Sequence, residues 1–172
     1  DLAAAVAQKD RLVARLRQEK YASLIATYGW DLLHGEGDAR FVDDTTLAVG
    51  SRVIRAANVL IATGARSAFP PIPGLADVEP LTSTSALALE TLPRSLLIIG
   101  AGSIALELGQ LFRRLGAEVT LLQRGARLLA DDEPEIADAV SAMLAREGIE
   151  ALTGVRVARV ERAGGMRRAI VQ

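Results

Sequence analysis

The chain has 172 residues, 50% hydrophobic and 24% charged, with 20 basic side chains against 21 acidic ones, a balance that excludes a disordered tail, a collagen-like repeat and a polybasic arm and shows no nucleic-acid signature. Cysteine is absent and histidine occurs once, so no disulfide, thiolate nucleophile or sulfur-ligated metal can be built here, and no metal site is expected. No apolar run reaches the roughly 18 residues that cross a membrane and the first stretch is too charged for a signal peptide, so a soluble, cytoplasmic protein is expected.

Residues 1 to about 27 lack proline and glycine, and Val6, Val13, Leu16 and Leu24 recur at helical spacing among charged residues, which predicts an amphipathic helix. Its arginines read as a solvated face. From Gly29 to Gly64 short apolar runs alternate with turn residues, predicting strands at Trp30–His34, Ala39–Val42, Thr46–Val49, Arg52–Ile54 and Asn58–Ala62. Asp43-Asp44 and Gly50-Ser51 mark reversals, while the wholly apolar Val59-Leu60-Ile61-Ala62 reads as a strand buried on both faces. No motif places a carboxylate or hydroxyl beside His34, and it is assigned no chemistry.

Pro70-Pro71-Ile72-Pro73-Gly74 predicts an extended connector, because the proline ring fixes φ and disfavours a helical residue before it. A short helical crossing at Ser83–Leu89 follows. From Leu96 the order is strand (Leu96–Ile99), glycine-rich turn (Gly100–Gly102), helix (Ser103–Leu115), strand (Glu118–Leu122), helix (Pro134–Arg146) and strand (Ile149–Leu152), a parallel βαβ unit with a second crossover. Val155–Glu161 and Met166–Gln172, separated by Ala163-Gly164-Gly165, read as a hairpin. The start at Asp1 and the stop inside an apparent strand lead us to expect a segment of a longer protein.

The chemistry-bearing signal is the turn between a buried strand and an amphipathic helix, G-x-G-x-x-(G/A) at Gly100, Gly102 and Ala105. Gly100 permits the tight turn, Gly102 leaves room for a pyrophosphate, and Ala105 lets helix and strand pack closely. Backbone amides and the positive dipole end near Ala101, Ser103 and Ile104 then face the phosphates. At the end of the second strand, where a carboxylate would hold the ribose hydroxyls of NAD, stand neutral Gln123 and cationic Arg124. That pattern favours the 2′-phosphate of NADP, with Arg127 as a second contact; the competing reading of both arginines is a solvated loop. Glu107, five residues past Gly102, is either a plain helix-surface carboxylate or the partner of a cation supplied elsewhere.

Val59-Leu60-Ile61-Ala62-Thr63-Gly64-Ala65, Phe69-Pro70-Pro71-Ile72-Pro73-Gly74, Leu81-Thr82-Ser83 and the fingerprint through Glu107 together resemble the flavin-dependent pyridine nucleotide-disulfide oxidoreductases. His34-Gly35, Gly37-Asp38-Ala39-Arg40-Phe41 and Leu108-Gly109-Gln110 with Arg113-Arg114-Leu115-Gly116 are most similar to members that reduce Hg(II), with disulfide reductases as the rival. The resemblance implies an α/β Rossmann-like FAD/NAD(P)-binding fold: residues 1–85 the C-terminal portion of an FAD domain, residues 86–172 most of an NAD(P)H domain. It implies FAD and NADP(H) as cofactors of the full-length enzyme, Asp38 and Ala39 beside the FAD adenine, and Thr63 and Gly64 along the FAD backbone. It makes Glu107 the supporting ion-pair partner of a flavin-domain lysine and Arg124 the 2′-phosphate arginine, while the second arginine of several NADP-dependent members falls on Ala130. A homodimer, an Hg(II) or disulfide substrate, and redox cysteines outside these residues complete what it implies; this chain alone is expected to bind NADP(H) at most and not to turn over.

Overall fold

The computed structural model describes residues 1–172. The chain divides into two compact units, Ala7–Arg66 and Ser67–Gln172, the latter together with Asp1–Val6.

In the first unit the expected helix is three pieces: α1 (Leu2–Arg17, which begins in the other unit), a π-helical turn at Gln18–Ala22, and α2 (Ser23–Tyr28). The interruption has a local cause. The Ser23 hydroxyl donates back to the Glu19 carbonyl at 2.6 Å while the Ser23 amide bonds Gln18 O, so the side chain takes the acceptor the helix ladder would use. Gly29 stops α2 at φ +64, with its own amide on Ala26 O and that of Trp30 on Ile25 O, a paired closure of the last turn. Strands β1 (Ala39–Asp43), β2 (Thr46–Val49) and β3 (Arg52–Arg55) then form an antiparallel meander in that order. The Asp43 carboxylate accepts the Thr45 amide at 2.8 Å and shapes the first reversal.

Two expected strands are absent. Trp30–His34 is irregular because the helix closure leads straight into a Tyr28–Trp30 ring stack, centroids 5.0 Å apart. Asn58–Ala62 is irregular and exposed, with Leu60 91% and Ile61 68% accessible, contrary to the expectation of a doubly buried strand. A strand exists only as one side of a ladder. The three-stranded meander satisfies itself, and residues 57–69 donate and accept no backbone hydrogen bond.

The second unit holds two cores. The larger lies under a parallel sheet, β4 (Ser95–Ile99), β5 (Glu118–Gln123) and β6 (Glu150–Thr153), in the order β4-β5-β6, joined by α4 (Ser103–Leu115) and α5 (Pro134–Arg146). Leu96 and Ile98 pair with Val119 and Leu121, and this face meets α4, whose Gly109 comes so close that an added Cβ would touch Ile98, Val119 and Leu121. Phe112, Leu121, Leu128 and Leu144 are its largest fully buried side chains. The opposite face of β4 is only partly covered, Leu97 and Ile99 being 42% and 41% exposed, so the expected buried strand is buried on one side. A four-residue helix, α3 (Ser83–Ala86), is shorter than expected; it starts on a reciprocal Thr82–Ser85 cap and contributes Ala86 to this core.

The smaller core, Leu75, Val78 and Val160 with Ile72, Val157 and Ala169, lies between the proline-rich connector and the hairpin β7 (Val157–Ala163) and β8 (Met166–Val171). Gly164 and Gly165, at φ +57 and +78, supply the doubly left-handed turn a two-residue hairpin needs. Arg162 and Arg167 face each other across the hairpin and donate to Asp77 O and Val78 O, fastening the connector's 3-10 turn.

The C-terminal ends of α4 and α5 are tied through Glu147. Its carboxylate accepts from Arg114 at 2.7 and 3.1 Å and from Gln110 at 2.8 Å, and its carbonyl accepts from Arg113 at 2.8 Å. The Arg114 hydrogen bonds hold the Glu147 carboxyl below its ordinary value of 4.5 against an opposing desolvation. A lowered folded-state value stabilises at pH above the ordinary one and is lost as pH falls through the lowered one. Glu147→Gln is therefore expected to flatten the acid limb of the stability profile and leave its neutral slope alone; unfolding midpoints in urea across a pH series check this, and parallel acid limbs would contradict it.

Candidate functional site

Where β4 ends, the chain turns through Gly100 at φ +104, a conformation favouring glycine, with its amide still on Leu122 O at 2.8 Å. Ala101 is buried, 2% exposed, and fixes the turn to the sheet. Gly102 is different. At φ −81 and ψ 177 it is an ordinary extended residue, it caps α4 without a side chain, and a Cβ built on it meets no atom within 4 Å. Neither backbone nor packing asks for glycine here; what its absence of a side chain preserves is open space at the head of a helix.

The first helical bond runs from Leu106 N to Gly102 O, leaving the amides of Ser103, Ile104 and Ala105 without an acceptor in the chain. Ser103 and Ile104 are exposed beside them, Ile104 by 60%. A cleft of about 360 Å³ opens there, lined by Ala101, Gly102, Ser103, Gln123 and the run Leu129 to Asp132. Free amides at a positive dipole end, bordered by a cleft with no side chain at its throat, fit a dinucleotide's diphosphate.

The far wall is the loop after β5. The Gln123 side-chain Nε2 donates to Arg127 O at 3.3 Å, and Leu128 is sunk into the core at 1% exposure. Leu129 adopts φ +46, a left-handed conformation that costs a non-glycine residue about 1–2 kcal/mol, and its amide bonds Ala101 O at 3.1 Å. That bond joins the wall to the turn. Arg124 is exposed and makes no hydrogen bond or ion pair, whereas Arg127 donates to Ala130 O and Asp132 O at 3.3 and 3.1 Å. Gln123, the last residue of β5, lines the cleft, whereas Arg124 and Arg127 lie in the loop that follows without lining it, and of the two only Arg124 has its charged head unengaged. Glu107 stands exposed one turn into α4, with no partner.

Asp38, Ala39, Thr63 and Gly64 belong to the other unit. Asp38 precedes β1, Ala39 opens it opposite Val49, and Thr63 and Gly64 lie in the segment that makes no backbone hydrogen bond, Gly64 at φ +69. No assembled flavin pocket follows from these four positions, so no step through FAD is derived. The reading of the residues missed the Leu129–Ala101 bond and the wall at Leu129–Asp132. The available signal was the pair Leu128-Leu129, the only large apolar side chains between Gln123 and Pro134. A wider hollow of about 500 Å³ at Arg113, Arg114, Gly116 and Glu147 lies at the opposite end of α4, where the polar groups are occupied by the helix tie.

The chain is similar to known proteins over nearly its whole length. A mercuric reductase of Staphylococcus aureus is 50% identical over 164 residues, covering 95% of this chain and 30% of that protein. One from Bacillus cereus is 48% identical over 172 residues, covering 100% and 27%. The flavoprotein disulfide reductase RclA of Escherichia coli, as its Cu(II) complex, superposes with TM-score 0.88 at 27% identity over 99% of this chain and 40% of its own. An engineered water-forming NADPH oxidase bound to NADPH shares the fold alone, with TM-score 0.62 at 21% identity over 74% of this chain and 32% of that one. The chain thus spans about 30% of the length of the curated relatives it matches. No helix is long and apolar enough to cross a membrane. Matched from residue 2 to residue 171 and carrying an α/β Rossmann-like dinucleotide-binding fold, the chain belongs to the pyridine nucleotide-disulphide oxidoreductase family.

Proposed function

We propose that this chain is the NADPH-binding portion, with part of the FAD domain, of a mercuric reductase. The observation that carries the nucleotide reading is Gly102, a glycine with no conformational or packing reason of its own at the head of a helix with free amides. Those amides hold the diphosphate, Ala101 and Gly102 let it approach, and Ile104 offers an apolar surface beside it. Arg124 takes the 2′-phosphate from the end of β5, with neutral Gln123 in place of the carboxylate that would repel it. NADPH would supply a hydride when bound; reduction of Hg(II) to Hg(0) is assigned to the whole enzyme, whose flavin and dithiol would carry the electrons, and no step of it to residues of this chain. We assign residues 1–85 to the FAD domain, with Asp38, Ala39, Thr63 and Gly64 toward that cofactor, and residues 86–172 to the NAD(P)H domain. Glu107 would pair with a lysine of the flavin domain in the whole enzyme. Arg127 is the remaining cation of the nucleotide loop. The assembled enzyme is a cytoplasmic homodimer.

The chain has no cysteine, so nucleotide binding without turnover is the activity we assign to it alone. Identities of 50% and 48% to two mercuric reductases support Hg(II) as the acceptor. The second reading, a disulfide reductase or dihydrolipoamide dehydrogenase portion, is favoured by the likeness to a flavoprotein disulfide reductase. Hg(II)-stimulated NADPH oxidation against lipoamide reduction, measured on the full-length enzyme, separates the two. For the chain itself, calorimetric titration is expected to show saturable NADPH binding. Arg124→Glu should weaken NADPH at least about tenfold, or about 1.4 kcal/mol, and spare NADH. Equal losses would remove Arg124 from the 2′-phosphate, and no heat with either nucleotide would leave a non-catalytic packing module.

A further inference from the structure

Arg127 stands in the nucleotide loop with a charge that suits a phosphate, yet both hydrogens of its Nη2 are already committed. Its Nη2 carries two hydrogens and faces two carbonyls, Ala130 O at 3.3 Å and Asp132 O at 3.1 Å. A guanidinium grips an oxyanion strongly with two parallel N–H groups, and both such forks, end-on or side-on, include Nη2. The backbone of the same residue is engaged too, its carbonyl accepting from the Gln123 side-chain Nε2 at 3.3 Å.

Resting on the nucleotide reading above, we infer that Arg127 is a positioning residue that ties the cleft wall shut on itself, so that Arg124 alone recognises the 2′-phosphate. The tie spans Leu129, whose left-handed conformation at φ +46 places its amide on Ala101 O. Asp132 N on Leu129 O, 3.0 Å, closes the same small ring. The near half of the loop is held separately from the β6 end, Gly154 N on Gly125 O at 2.8 Å and Val155 N on Gln123 O at 3.1 Å. Arg124 therefore projects from a loop held on both sides, and an arginine presented that way loses less freedom on meeting an anion. The turn shares in this, since the wall is bonded to the residue between Gly100 and Gly102. Breaking the tie thus affects every dinucleotide, with or without a 2′-phosphate.

The test uses the full 172-residue chain with Arg127→Met, which keeps the stem and removes the donors, and Arg127→Lys, which restores one donor group. NADPH and NADH are titrated into each, and amide hydrogen exchange is followed at Leu129 and, as the fold control, along β5. Arg127→Met is expected to raise both dissociation constants by a common factor of about five, to speed exchange at Leu129 and to leave β5 unchanged. Arg127→Lys should recover part of both affinities. A loss confined to NADPH makes Arg127 a phosphate ligand and overturns the inference, as does unchanged exchange at Leu129. A wild-type chain that binds neither nucleotide overturns the proposed function instead, and the exchange comparison still decides whether the tie exists.

Discussion

Gly102→Val is expected to leave the fold standing and to remove dinucleotide binding. The residue sits at φ −81 and ψ 177, where any L side chain is comfortable, and its added Cβ meets nothing within 4 Å. Losing glycine at a helix N-cap to an aliphatic residue costs about 1 kcal/mol or less, a shift of a few degrees in melting temperature. A branched side chain at the throat of the cleft keeps a diphosphate from the amides of Ser103, Ile104 and Ala105, and NADPH and NADH should both weaken far more than tenfold. Gly102→Ser makes the contrast sharper. Serine caps better than glycine by a few tenths of a kcal/mol, so this variant should melt no lower than the wild type while still binding worse. Thermal unfolding and titration on the same preparations check both; undiminished affinity in Gly102→Val would show that the open space is not where the ligand goes.

Gly74→Ala carries the largest expected loss of stability. Gly74 has φ +75, and a Cβ there would be driven into the Val160 carbonyl oxygen. The two segments cannot part to make room, because Val160 N is bonded to Pro73 O at 2.9 Å and Leu75 and Val160 share a buried core. Left-handed strain of about 1–2 kcal/mol adds to an overpacking cost of about 1–3 kcal/mol, so a loss of about 3 kcal/mol is expected. Gly154→Ala is the control: φ is +69 but its Cβ meets nothing within 4 Å, so only the strain applies. Urea unfolding should separate the two by at least about 1 kcal/mol, and equal midpoints would mean that the connector yields to the extra methyl.

The proline-rich connector therefore has a packing reason as well as a conformational one. Prolines keep it extended, and its glycine lets it lie against β7. Sequence spacing alone located the first property, but the second needs a partner more than eighty residues away.

The same division runs through the nucleotide site. Alternation of period, Pro134 at a helix start and the spacing of Gly100, Gly102 and Ala105 placed α4 and α5 and the turn, because each depends on the residue's own backbone preference or on neighbours within one helical turn. The run at Asn58–Ala62 shows the limit. Its apolar composition is that of a strand, but a strand's hydrogen bonds are made with another segment, and residues 57–69 make none. Arg127 is the counterpart among charged residues: its charge and position were legible, but the two carbonyls that take its donors come together only when Leu128 is buried and Leu129 turns back onto Ala101. What the amino-acid order determined by itself was the kind of element at each place and the chemistry on offer, because these are local properties. Which donors stay free, which carbonyl a missing side chain makes room for and which strand finds a neighbour were decided by the tertiary structure, because hydrogen bonds and close contacts are properties of pairs.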